Sequence, residues 1–80
     1  PEARAREVAE RILEAAVEMR KEVEAKFDYV GEQFADEARR IHYGEADERG
    51  IYGEASEEET QELDDEGIDI YRLPKIRRNS

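Results

Sequence analysis

The sequence contains no cysteine and no tryptophan, and it has only two prolines and two phenylalanines among 80 residues. Without cysteine, neither a disulfide framework nor a thiolate metal site can form within this chain. No apolar run approaches the roughly 20 residues that a membrane-spanning helix needs. We therefore expect a small soluble protein of the cytoplasm, with a thin core and no deep, enclosed active site.

The charge is unbalanced, with 23 acidic side chains against 13 lysines and arginines. All of the acidic residues precede Tyr71, whereas residues 72–80 carry four basic side chains and no acidic one. A body of this charge repels phosphates and anionic lipids, so neither nucleic acid nor a membrane is an expected direct partner. The partner that the charge favours is a protein with a basic surface.

The first 27 residues have the pattern of one long amphipathic helix. Apolar side chains recur at spacings of three and four residues, which predicts a helix over about residues 3–27. They are Val8, Ile12, Ala16, Met19, Val23 and Phe27. One flank carries a column of glutamates at successive fourth positions, Glu10, Glu14, Glu18 and Glu22. The column is either a solvated face or a docking strip for a basic partner.

Two further helices are predicted downstream. Phe34, Ala38 and Ile41 predict a helix over about 29–43 that folds back on the first as an antiparallel hairpin, with Asp28 as its cap. Gly44 is well placed to end this helix in the left-handed conformation. Ser56 and Glu59 form a capping-box pattern, which predicts a third helix over about 57–66 that Gly67 ends.

A minimal β element completes the predicted fold. Apolar and aromatic residues at 51–53 and at 68–72 predict two short strands that pair in parallel across the third helix. The fold class is therefore α+β and mostly α. Residues 8–73 form one small domain, 1–7 are a linker or a helix start that follows a missing upstream segment, and 74–80 form a basic mobile tail.

The segment between the second and third helices holds the candidate functional residues. It repeats the tetrad Tyr-Gly-Glu-Ala, starting at Tyr43 and again at Tyr52. The candidates are His42, Tyr43, Glu45, Arg49, Tyr52 and Glu54. Because two tyrosines, Ile51 and an arginine can anchor this loop, we expect it to be ordered, with amides of 51–53 protected from exchange.

The chemistry of this loop stays open. His42, Glu45 and Glu54 would suit zinc or iron if they converged, but their spacing matches no known metal motif, so we expect no cofactor. No nucleophile stands in a recognisable catalytic pattern beside His42, so we assign no catalytic residue. Arg49 either bridges Glu45 or Glu54 within the loop or is presented to an anionic ligand.

Residues 28–56, DYVGEQFADEARRIHYGEADERGIYGEAS, followed by Gly67-Ile68 and Leu73-Pro74, resemble the C-terminal half of domain-of-unknown-function family 1178. The resemblance covers about 50 residues and implies a small bacterial protein. It also implies an N-terminal zinc-ribbon-like segment with paired cysteines, which this chain lacks; any zinc would belong to that segment. The resemblance brings no established activity.

Three functions are compatible with these observations. The first is a non-enzymatic interaction or regulatory module, as a monomer or a dimer. The second is an enzyme or metal-dependent site on the central loop, and the third is an acidic mimic of nucleic acid. Size, the lack of a catalytic constellation and the acidic surface favour the first.

Overall fold

The computed structural model describes the backbone of residues 2–75 and the side chains from Arg4 onward. Within that range the chain forms three helices and two strands in the order α1, β1, α2, β2 and α3. Their bounds are α1 Glu2–Lys26, β1 Asp28–Gly31, α2 Phe34–His42, β2 Ile51–Gly53 and α3 Glu57–Asp65. The mostly helical α+β class is confirmed, and α1 and α3 lie within one residue of their predicted bounds. Residues 76–80 of the predicted tail lie outside the described range.

The two strands pair in parallel, with Asp28 opposite Ile51 and Tyr29 opposite Tyr52. The prediction that 51–53 is a strand in a parallel pair is confirmed, but the predicted partner, 68–72, is wrong. Segment 28–31 pairs instead, because Tyr29 and Val30 favour extended backbone and α2 supplies the helical crossover that parallel strands require. Residues 68–72 form no strand, since Ile68 turns into the core directly after α3.

The start of the second helix was also predicted wrongly. The helix begins at Phe34 rather than near residue 29, and Asp28 opens a strand instead of capping a helix. Gly31 has a φ of +54°, and a turn follows in which the Gln33 amide donates to the Val30 carbonyl at 3.1 Å. This left-handed residue and the turn separate the strand from the helix.

Two glycines end the later helices as predicted. Gly44 and Gly67 have φ values of +76° and +77°. After Gly44, the amide of Glu45 donates to the carbonyl of Arg40 at 2.7 Å, which closes a Schellman motif. The predicted capping box at α3 is present, with the hydroxyl of Ser56 accepting from the Glu59 amide and the Glu59 carboxylate from the Ser56 amide.

The core is small and lies between α2, α3 and the strand pair. Its buried members are Ala35, Ala38, Leu63 and Ile68, and the half-buried Phe34, Ile51 and Ile70 pack against them. Two alanines among four buried residues let α2 approach its neighbours closely. A core of this size supplies little hydrophobic stabilisation, so polar contacts between elements matter more than usual.

Helix α1 extends away from this core. The described chain measures 52 × 26 × 22 Å, and a helix of 25 residues is about 37 Å long. Val8, Ile12 and Leu13 remain 51%, 66% and 58% exposed. The antiparallel hairpin of α1 and α2 is not confirmed, because α2 packs on α3 and the strands and most of the α1 stripe stays open to solvent.

We predict that Gly53→Ala destabilises the fold by about 1–3 kcal/mol, the cost of overpacking a tight site. An added Cβ would collide with the Gly31 carbonyl oxygen, and paired backbone cannot move aside. Gly50→Ala is the matched control, since there the three atoms nearest to the added Cβ belong to the ring of Phe27, which is 42% exposed, and not to paired backbone. Urea unfolding of both variants measures the change in the free energy of unfolding. Equal losses of stability in the two variants would contradict this account of the strand contact.

Candidate functional site

Arg49 joins three parts of the fold. Its Nε donates to Asp28 Oδ2 at 2.8 Å and its Nη2 donates to Glu37 Oε2 at 3.0 Å. The guanidinium therefore ties the start of β1 to α2 from a position just before β2. Arg49 thus forms a bridge within the protein. Its partners are Asp28 and Glu37, not Glu45 or Glu54 as considered from the sequence.

The hydrogen bond between Arg49 and Glu37 shifts the pKa values of these two residues. The hydrogen bond from Arg49 is the main cause that holds the pKa of Glu37 below its usual value, and Arg40 adds to the effect. The carboxylates of Glu37 and Asp28 in turn raise the pKa of Arg49. The Glu37 side chain is only 16% exposed, so it is the better shielded end of the bridge. Two of the three guanidinium nitrogens of Arg49 therefore donate to carboxylates within the protein.

Tyr52 and Glu54 meet Tyr29 across the strand pair. The rings of Tyr29 and Tyr52 lie 5.1 Å apart between centroids, at 49° to each other. The Tyr29 hydroxyl donates to the Glu54 carboxylate, with distances of 2.6 and 2.8 Å to its two oxygens. This hydrogen bond is the main cause that raises the pKa of Tyr29. Two of the six candidates, Tyr52 and Glu54, thus each contact Tyr29 across the strand pair and reinforce the β element.

Tyr43 belongs to a second cluster, which joins α2 to α3. Its hydroxyl donates to Glu66 Oε1 at 3.1 Å, and Arg39 Nε donates to Glu66 Oε2 at 2.9 Å. Arg39 also reaches Glu62 Oε2 at 3.3 Å. The hydrogen bond from Arg39 is the main cause that lowers the pKa of Glu66, and the hydrogen bond to Glu66 raises that of Tyr43.

His42 and Glu45 do not join these clusters. His42 is exposed in the last turn of α2, where its ring stands edge-on to that of Tyr43 with centroids 4.9 Å apart. Glu45 is exposed, and its backbone amide closes the helix end. Among residues 2–75, no three or more histidine, aspartate or glutamate side chains stand together where they could hold a metal ion. The structure therefore does not assemble His42, Glu45 and Glu54 into the ligand set considered from the sequence.

Sequence reasoning missed the partners of these residues. Asp28, Tyr29, Glu37, Arg39 and Glu66 each bond a candidate or its cluster from 12 to 27 positions away along the chain. Only Tyr29 carried a usable signal, because the run Tyr-Val-Gly is typical of a short strand. The others are ordinary charged residues whose spacing indicates nothing.

An open groove lies beside these clusters. We define the groove by its apolar lining, which α1, β2 and the segment after α3 contribute: Met19, Val23, Phe27, Ile51, Ile70 and Tyr71. The Tyr71 side chain is 88% exposed at its edge. Arg20 spans from α1 to the segment after α3 by donating to the Pro74 carbonyl at 3.0 Å. The groove is concave and mainly apolar, and it borders the second turn of the repeat at Tyr52 to Ala55.

We predict that the Glu37–Arg49 bridge makes stability depend on acidity. Because folding lowers the pKa of Glu37, its contribution is complete above the unfolded value of about 4.3 and is lost as the pH falls through the lower folded value. Glu37→Gln should therefore lose stability at pH 7 and show a shallower fall in melting temperature below pH 4.5 than the wild type. Glu45→Gln is the control, and an identical pH profile for both variants would disprove the role of the bridge.

Comparison with known proteins agrees with the resemblance seen in the sequence. The family model described as "Protein of unknown function (DUF1178)" matches residues 1–78, so the match extends through α1 as well as the segment from β1 onward. No curated protein and no solved structure matches the chain significantly. Of the helices in residues 2–75, none has the length and apolarity to cross a membrane. The chain belongs to the DUF1178 family of proteins of unknown function.

Proposed function

We propose that the chain is a non-enzymatic protein-interaction module, and that its groove docks a protein partner with a basic surface. The observation that carries the proposal is the exposed apolar lining of the groove, above all Tyr71 at 88% exposure. Contiguous apolar surface on a small protein is costly to leave open, and it typically marks an interaction site. Aromatic residues are also enriched at protein interfaces.

The polar residues of the central loop support this proposal because they form bonds within the protein. Arg49, Glu54 and Tyr43 are each bonded to side chains of other elements. These bonds hold the strand pair and the two short helices in place. Their geometry supports a scaffold role, in which the loop shapes the docking surface and needs no cofactor.

The charges around the groove favour a basic partner. Three of its cations have internal partners: Arg49 as described, Arg72 with Glu57 at 3.0 Å, and Arg20 with the Pro74 carbonyl. Lys75 lies at one end of the groove, and Glu48 and Asp69 are exposed along it. With a formal net charge of −10 for the whole chain, the field over this surface attracts cations and speeds their association.

We predict that Tyr71→Glu abolishes capture of the partner by the immobilised chain from extracts of the source cell. The substitution adds a charge to the apolar lining of the groove, but Tyr71 is so exposed that folding should hardly change. Leu13→Glu is the matched control, because Leu13 is also exposed and lies outside the groove. Capture by the wild type should weaken as the salt concentration rises.

Equal capture by the wild type and the Tyr71→Glu variant would overturn the groove as the docking site. Recovery of no protein, together with turnover of a substrate by the purified chain in an activity screen, would overturn the interaction module itself.

A further inference from the structure

One face of α1 is not covered by any other part of residues 2–75. Of the residues on this face, only Met19 also lines the groove. The face carries Val8, Ile12 and Met19, which are 51%, 66% and 47% exposed, together with Ala15. The adjoining face is half-buried through Ala16, Arg20 and Val23. The spacing of the exposed set, four, three and four residues, is that of alternating a and d positions in a coiled coil.

We propose that two copies of the chain pair through this face of α1 as an antiparallel two-helix coiled coil. The proposal goes beyond the proposed function, because it concerns the purified chain alone and shares only Met19 with the groove.

Side-chain size is self-complementary in the antiparallel register. If Val8 of one copy lies opposite Met19 of the other, then Ile12 lies opposite Ala15, and each layer occurs twice by symmetry. The largest β-branched residue of the face is thus matched with its smallest residue. Pairing large with small across a seam lets two helices interdigitate without voids.

Charge is complementary in the same register. Arg4 and Arg11 lie on one flank of the face in the first half of α1, and Glu18 lies on that flank in the second half, whereas Glu22, seven residues after Ala15, lies at the end of the seam. Antiparallel pairing sets Arg11 beside Glu18 of the other copy, and it sets Glu22 opposite Ala5 of the other copy, next to Arg4. A parallel pair would instead place Glu22 against Glu22 at the seam, where like charges are destabilising.

The area is sufficient for a weak specific dimer. Covering three large side chains that are about half exposed or more, with the neighbouring alanines and the aliphatic stems of the flanking residues, buries on the order of 1,000 Å² in the pair. That value is at the lower limit for a specific interface, so the dimer should dissociate on dilution.

The first test is sedimentation equilibrium of the purified chain over a wide concentration range. The wild type should pass from 9.3 kDa towards twice that mass as concentration rises. Ile12→Glu should weaken dimerisation by about 100-fold or more, since it sets a charge in the seam of each copy. Leu13→Glu is the matched control, because Leu13 is also exposed but lies about 100° around the helix from Ile12, and it should dimerise as the wild type does.

The second test addresses orientation. Arg11→Glu alone and Glu18→Arg alone should each weaken the dimer, and the double variant should restore it, because the swapped charges face each other again. Circular dichroism confirms that α1 stays helical in every variant. A wild type of 9.3 kDa at all concentrations, or equal effects of Ile12→Glu and Leu13→Glu, would overturn the dimer. A dimer without rescue in the double variant would overturn the antiparallel register. Neither result bears on capture of a partner by the groove.

Discussion

The close approach of β1 and β2 is the constraint on which the rest of the fold depends. Gly53 sits so near Gly31 that no side chain fits between the two backbones. This contact lets the Asp28 amide donate to the Gly50 carbonyl at one end and the Glu54 amide to the Gly31 carbonyl at the other, each at 3.0 Å. Once the strands are paired, α2 must cross between them, and α3 then closes over α2.

Polar side chains supply contacts between helices and strands that the small core does not provide. Four buried residues join α2, α3 and the segment after α3, and Ile51 is the one strand residue that packs against them. The strand pair is further held by Arg49 and by the contact of Tyr29 with Glu54. Several of the candidate residues of the central loop, namely Tyr43, Arg49 and Glu54, therefore form bonds that connect helices and strands. Within residues 2–75, the groove and one face of α1 stay open to solvent, and these are the two surfaces that we propose as binding sites for other proteins.

Local signals in the sequence were sufficient for the elements whose ends are set by local bonds. The capping box at Ser56 and the left-handed glycines at 44 and 67 fix helix ends through bonds a few residues apart, so those ends were predictable. Strand β2 pairs with a segment that lies 23 positions earlier in the chain, since Asp28 is opposite Ile51. The sequence contains two short segments that could pair with β2, namely 28–31 and 68–72. The hydrophobic pattern alone could not choose between them, and the bond of Arg49 to Asp28 follows only from the correct choice.

Hydrogen exchange at the two ends of the strand pair tests this account most directly. The amides of Asp28 and Glu54 are both in exposed residues, and only the pairing of β1 with β2 gives them acceptors across the pair. Measured by NMR, both should exchange at least about 100-fold more slowly than in an unstructured peptide. Exchange of the Asp28 amide at the unstructured rate would contradict the pairing, and with it the assignment of the central loop as the scaffold of the docking surface.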